Sequence, residues 1–262
     1  MQIRDALALM TLLLALPAQA QQNITETPLL YEVSDGWKVE VRTNLVYSRP
    51  DGLDLAMDVY SPAGTTTPLP AIVFVSGSGD TKDWQIYRDY GMVTAAHGMI
   101  AIQFNRRYAN ASELETARED TVSLLDYVRA NASDLGVDGS RLGMWVFSGG
   151  GYFADLAMQI DQPWMRFIVS YYGIDRVDTL ERIEAMGSDL PPIFMVRAGL
   201  DNPNLNNAIT LFVLSAIAHN VPIEFINYPK GRHSFDILDD HPETRRIIEA
   251  TYAFAKHHFG MD

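Results

Sequence analysis

The distribution of apolar and polar positions divides the chain into two regimes. Trp37, Val39 and Val41 alternate with Lys38, Glu40 and Arg42, and Leu53, Leu55, Met57 and Val59 alternate with Asp54, Ala56, Asp58 and Tyr60. A period of two marks strands with one buried face. The link between them, Ser48-Arg49-Pro50-Asp51-Gly52, is turn chemistry, which predicts an antiparallel hairpin at the edge of a sheet.

From residue 71 onward the pattern changes to short apolar runs separated by helical stretches. The runs are Ala71 to Val75, Met99 to Phe104, Leu142 to Phe147, Phe167 to Tyr171, Ile193 to Val196 and Ile223 to Tyr228. Their near-continuous apolarity predicts strands buried on both faces. Between them, Val122, Leu125 and Val128, and then Leu211, Leu214 and Ile217, read as core-facing helical stripes, and Ile248, Tyr252, Ala255 and Phe259 recur at helical spacing after Pro242. Strands alternating with helices predict an α/β fold with a mostly parallel sheet covered on both sides, following the N-terminal hairpin.

The first twenty residues stand apart. An apolar run from Ala6 to Leu16 leads to Ala18-Gln19-Ala20, a small-x-small cleavage pattern before Gln21. The run is well short of the roughly 20 residues that span a bilayer. The expectation is therefore a signal peptide over 1–20, export to a periplasm or the cell exterior without a stable membrane anchor after cleavage, and one domain over 21–262. Twenty Lys plus Arg against thirty-three Asp plus Glu give a net charge of −13, which repels nucleic acid backbones. The chain has no cysteine, so disulfides, thiolate metal sites and a Cys nucleophile are all excluded.

In a doubly covered parallel sheet the chemistry lies beyond the carboxyl ends of the strands. The run Leu142 to Phe147 leads straight into Ser148-Gly149-Gly150-Gly151, and the helical stretch Tyr152 to Ile160 follows. A serine at a sharp strand-to-helix turn exposes its hydroxyl above the sheet near the positive end of the helix dipole. Three glycines open that helix although each costs about 1 kcal/mol relative to alanine. A nucleophile elbow accounts for them: the residue after the serine offers its N–H to an oxyanion, and the next lets helix and strand approach closely. The competing reading, a phosphate-binding turn, lacks both the Lys of a P-loop and the spacing of a dinucleotide fingerprint.

Two further strand ends carry polar chemistry. Asp201 follows the run Ile193 to Val196, and His233 follows the run Ile223 to Tyr228. The candidates are then Ser148 as nucleophile, Asp201 as acid and His233 as base. Asp175, after Phe167 to Tyr171, is a rival acid, and His241 is a second choice of base. His97, His219, His257 and His258 fall in or at the ends of predicted helices. The loop Ser76-Gly77-Ser78-Gly79-Asp80 sits where a second oxyanion donor is needed. The backbone N–H groups of Ser78 and Gly149 are the candidate oxyanion hole, with Gly77 as alternative.

The ordered set Ser148, Asp201, His233 resembles α/β-hydrolase-fold serine esterases of the dienelactone-hydrolase-like and prolyl-oligopeptidase-like group. The resemblance extends from Leu53-Asp54-Leu55-Ala56-Met57-Asp58-Val59-Tyr60-Ser61-Pro62 to Gly231-Arg232-His233-Ser234-Phe235. It implies hydrolysis of carboxylic esters through an acyl enzyme, with no cofactor or metal and a small-molecule ester as partner. Val146 departs from it, since this position usually holds a small residue; a β-branched side chain is expected to crowd the elbow. The segment Asp175 to Pro191, with Val177, Leu180, Ile183 and Met186 at helical spacing, is expected to form a short amphipathic cap, which leaves an open site suited to small, short-acyl or surface-presented esters. Peptide or amide cleavage, and a non-catalytic exported binding protein on the same scaffold, are the alternatives.

Overall fold

The computed structural model describes residues 24–34, 36–79, 81–159, 162–173 and 177–261. The expected signal segment and Asp175 lie outside them. Eight strands form one sheet in the order β1-β2-β4-β3-β5-β6-β7-β8. They are β1 (Val39–Ser48), β2 (Leu55–Pro62), β3 (Leu69–Val75), β4 (Ile100–Phe104), β5 (Val137–Phe147), β6 (Met165–Tyr171), β7 (Ile193–Ala198) and β8 (Ile223–Tyr228). Strand β2 is antiparallel to β1 and β4, and all other pairings are parallel. The expected hairpin thus forms, with β1 at the sheet edge.

Seven α-helices accompany the sheet among the described residues: α1 (Gln85–Ala96), α2 (Leu114–Ala130), α3 (Ala132–Leu135), α4 (Val177–Met186), α5 (Pro203–Ala218), α6 (Phe235–Leu238) and α7 (Pro242–Phe259). The stretch after Ser148 is a 3-10 helix, Ser148–Ala157, rather than a regular α-helix. One side of the sheet is covered by α2, α4, α5 and the 3-10 helix, and the other by α1 and α7. Alternate residues of β5 serve the two layers. Met144 and Val146 enter the first, whereas Trp145 and Phe147 stack in the second with ring centroids 5.6 Å apart. None of the described helices is long and apolar enough to cross a membrane.

Helix α5 corrects one expectation. Leu211, Leu214 and Ile217 face solvent at 61%, 58% and 62% exposure, while Leu205, Ile209, Phe212, Val213 and Ala216 fill the core. Both faces of this helix are apolar, so periodicity alone selects the wrong stripe. Val122 of α2 is likewise exposed beside its buried neighbours Leu125 and Val128. Strand β8 is the second correction: it is an open edge, and Glu224, Phe225 and Asn227 are exposed rather than buried. The last helix behaves as its spacing predicts, with Ile248, Tyr252, Ala255 and Phe259 all buried.

The assignment of the two faces of α5 has a direct thermodynamic test in urea unfolding. Leu214→Gln is expected to change stability by less than about 0.5 kcal/mol, as an exposed substitution does. Phe212→Ala is expected to cost about 3–5 kcal/mol through lost burial and a residual cavity. Comparable losses in the two variants would show that the outer stripe is covered in solution.

Candidate active site

The order β4-β3-β5 places consecutive strands on opposite sides of β3, so the sheet has its switch point between the carboxyl ends of β3 and β5. Both ends carry polar loops. Ser148 follows β5 directly and has φ +49°, a conformation that costs a non-glycine residue about 1–3 kcal/mol. Gly150 explains how the turn closes. A Cβ added there would lie 2.0 Å from the Val75 carbonyl oxygen and 2.7 Å from that of Ser76, so only hydrogen fits between the 3-10 helix and the end of β3. Val146 does not prevent this turn; it is fully buried in the first core layer, paired with Val75 of β3 and Ser170 of β6.

Asp201 and His233 arrive from the ends of β7 and β8, and their loops are stapled by backbone bonds. The Gly199 amide donates to the Tyr228 carbonyl (2.7 Å) and the Leu200 amide to that of Gly231 (2.8 Å). A Cβ on Gly199 would meet the Pro229 carbonyl oxygen at 2.4 Å, so these loops too are in backbone contact. His233 Nδ1 is 2.6 Å from Asp201 Oδ2, and His233 Nε2 is 2.9 Å from Ser148 Oγ. The other carboxylate oxygen of Asp201 accepts from the Asn202 amide at 2.6 Å. The Asp201 side chain is buried, and that of His233 is 25% exposed. The three residues singled out in sequence therefore form one continuous hydrogen-bonded chain.

His241 lies outside this hydrogen-bonded chain: it caps α7, its Nδ1 accepting from the Glu243 amide. His97 and His219 are helix C-caps, and His257 and His258 lie in the last turn of α7.

The loop after β3 is held from both sides of Ser78. Arg106 donates to the carbonyls of Ser76 and Gly77, the latter at 2.9 Å, and the Gly79 amide donates to the Tyr108 carbonyl at 2.6 Å. The Ser78 nitrogen is 3.6 Å from the position a Gly149 Cβ would take, so the backbones of these two residues lie close together. The Tyr108 hydroxyl lies 3.1 Å from that same Cβ position, and burial raises this phenol to about 12.

Sequence reasoning passed over Arg106. It is 5% exposed, its guanidinium sits 5.0–5.5 Å from the ring centroids of Phe104, Tyr108 and Phe153, and burial lowers its pKa to about 10. It stays charged at neutral pH, and aromatic faces and backbone carbonyls replace its water. A charged residue at the end of an apolar strand, next to Arg107, carries no sequence mark of burial. Helix α4 forms at the expected place, but among its described side chains Leu180, Ile183 and Met186 pack against the core, so it belongs to the helical layer rather than to a separate cap.

Comparison with known proteins places this geometry in context. The family model BD-FAE matches residues 57–164, a stretch running from β2 through the Ser76–Gly79 loop and Ser148 but stopping before Asp201 and His233. Comparison with curated proteins gives no match. Among solved structures, a thermophilic esterase of the planctomycete Thermogutta terrifontis superposes with a TM-score of 0.69 at 20% identity, covering 86% of this chain and 93% of that one. A fungal esterase structure from Rhizomucor miehei gives 0.69 at 16% identity, covering 93% and 89%. This chain has the α/β-hydrolase fold. Within that fold the Ser148 turn is the strand-to-helix elbow and the Ser76–Gly79 loop is its neighbour across the switch point.

The elbow's tolerance is set by Gly150. Gly150→Ala is expected to cost at least about 1–3 kcal/mol in urea unfolding, because its nearest contacts are backbone atoms that cannot rotate away. Gly77→Ala, whose Cβ meets nothing nearer than 3.6 Å, is expected to be the milder change. Equal stability of Gly150→Ala and the parent would mean that the two loops have slack.

Proposed function

We propose that this protein is a serine hydrolase that cleaves carboxylic esters through an acyl-enzyme intermediate. The observation carrying the reading is the hydrogen-bonded chain from Asp201 through His233 to Ser148, at 2.6 and 2.9 Å, at the mouth of the switch point. Further support comes from the solved structures of similar fold, which are of esterases. The Thermogutta terrifontis esterase is described with propionate and with butyrate bound, and as phosphorylated by paraoxon.

In the proposed reaction His233 Nε2 takes the proton of Ser148 Oγ as that oxygen bonds to the ester carbonyl carbon. The carbonyl π electrons move to oxygen, and the N–H groups of Ser78 and Gly149 stabilise the charge; losing one such donor typically costs about 3–4 kcal/mol of transition-state stabilisation. The tetrahedral adduct collapses as the carbon–alkoxide bond breaks, and His233 returns its proton to the departing alcohol. Water, deprotonated by His233, then attacks the acyl carbon and releases acid and Ser148. Asp201 holds the Nδ1–H tautomer and stabilises the imidazolium.

The test is intact-mass labelling of residues 21–262 with a fluorophosphonate, alongside turnover of p-nitrophenyl acetate. One adduct is expected on the parent and none on Ser148→Ala, whose kcat is expected to fall by at least about 10³-fold. Labelling or hydrolysis that survives this substitution would remove Ser148 from the reaction. In an acyl series, acetyl to butyryl esters are expected to exceed long-chain esters in kcat/KM by about tenfold or more. The reverse preference would contradict the short-acyl assignment.

Export belongs to the same proposal and rests on the apolar run before Ala18-Gln19-Ala20. N-terminal sequencing of protein recovered after secretion is expected to begin at Gln21; an intact N-terminus inside the cell would overturn it.

A further inference from the structure

Against the His233 ring lies a second polar cluster with no part in the reaction as written. Tyr172 follows β6 immediately and has φ +40°, and Ser234, the neighbour of His233, has φ +61°. Two non-glycine residues in the left-handed region thus bracket one imidazole. The Tyr172 ring packs against the His233 ring at 4.7 Å between centroids, tilted by 52°. Its hydroxyl donates to Asp236 Oδ1 at 2.7 Å, and the Tyr90 hydroxyl donates to Asp236 Oδ2 at 2.9 Å. Asp236 is fully buried, three residues after His233 in the same turn, and its backbone carbonyl accepts from the Leu30 amide at 2.8 Å.

A buried carboxylate needs its donors, and both are phenols from chain segments 64 and 146 residues away. A phenylalanine at either tyrosine position would fill the same volume, so packing alone does not account for the hydroxyls. Their effect is to fix Asp236, and with it the turn that carries His233. Hydrogen bonds at both imidazole nitrogens hold the ring within its own plane, and a packed face is what limits tilt out of it. Tyr172 supplies that face while being tethered at its far end to the same turn.

We propose that Tyr172 and Asp236 are positioning residues for His233, Tyr172 as the seat of the imidazole face and Asp236 as the anchor of that seat. The inference rests on the hydrolase reading for its kinetic consequence but not for its structural one. Tyr172→Phe keeps the ring and removes only the tether; Asp236→Asn keeps the shape of the anchor and one acceptor.

Three measurements on residues 21–262 decide it, made on the parent, Tyr172→Phe, Asp236→Asn and the double variant. They are kcat and KM for p-nitrophenyl acetate, the far-downfield proton of the His233 Nδ1–Asp201 hydrogen bond by NMR, and the melting temperature. In each single variant kcat is expected to fall on the order of 10- to 100-fold with KM within about twofold, as misorientation of a general base predicts. The proton signal is expected to broaden by exchange. The double variant is expected to lose little more than either single one, because the two residues act as a unit.

A lowered melting temperature with kcat, KM and the proton signal as in the parent would overturn the proposal, as would a rise in KM with kcat unchanged. Should the parent show no Ser148-dependent turnover, the hydrolase reading fails by itself, and the proton signal alone then decides the positioning claim.

Discussion

The contact on which the rest depends is the approach of two backbones at the switch point of the sheet. Between Gly150 and the carbonyl of Val75 there is no room for a methyl group. Everything at the mouth of the site inherits this distance. Closing the turn so tightly leaves Ser148 at φ +49°, lifts its hydroxyl off the sheet and brings the backbone of Gly149 close to that of Ser78. The strain is sustained by the core beneath it, where Val75, Val146 and Phe147 are buried in paired parallel strands and cannot shift independently. Local cost and collective packing are thereby matched within one element.

Around that contact, rigidity comes from buried polar groups with partners remote in sequence. Arg106 holds the loop after β3 by its carbonyls, with three aromatic rings about its guanidinium. Asp236 holds the turn after β8 through Tyr90 and Tyr172. Neither arrangement is favourable in parts. A buried charged or polar group that loses its partners costs more than the apolar residue it displaces, so each cluster depends on the partners it has; at Arg106 these serve the terminal nitrogen, while Nε has none. These partners stiffen the loops, and the hydrogen bonds from Asp201 to His233 and from His233 to Ser148 depend on loops that do not drift.

The fold was largely legible along the chain because period and run length report on burial directly. The six apolar strands and the final helix with Ile248, Tyr252 and Phe259 follow from spacing, and so does the hairpin as an element, although its alternation misplaces Val41 and Leu53, which are exposed, and Asp58 and Tyr60, which are buried. Legibility fails where two faces look alike. In Pro203–Ala218 either stripe could be the inner one, and Leu211, Leu214 and Ile217 lie on the outer one. It fails again at β8, where apolar residues suggest a central strand although no ninth strand pairs with it among the described residues.

By itself the sequence determined the alternation of strands and helices and the residues Ser148, Asp201 and His233 at three strand ends, since each signal is confined to a few neighbouring positions. Tertiary structure alone decided which chemistry those positions share. It joined the three into one hydrogen-bonded chain and set His241 apart as a helix cap. It also placed Arg106 under one loop, and Tyr172 with Asp236 under another. The physical reason is that hydrogen bonds and burial act between atoms within a few ångströms, whereas the order of residues records only proximity along the chain. Strand order converts one into the other, and a partner 146 residues away becomes visible only after that conversion.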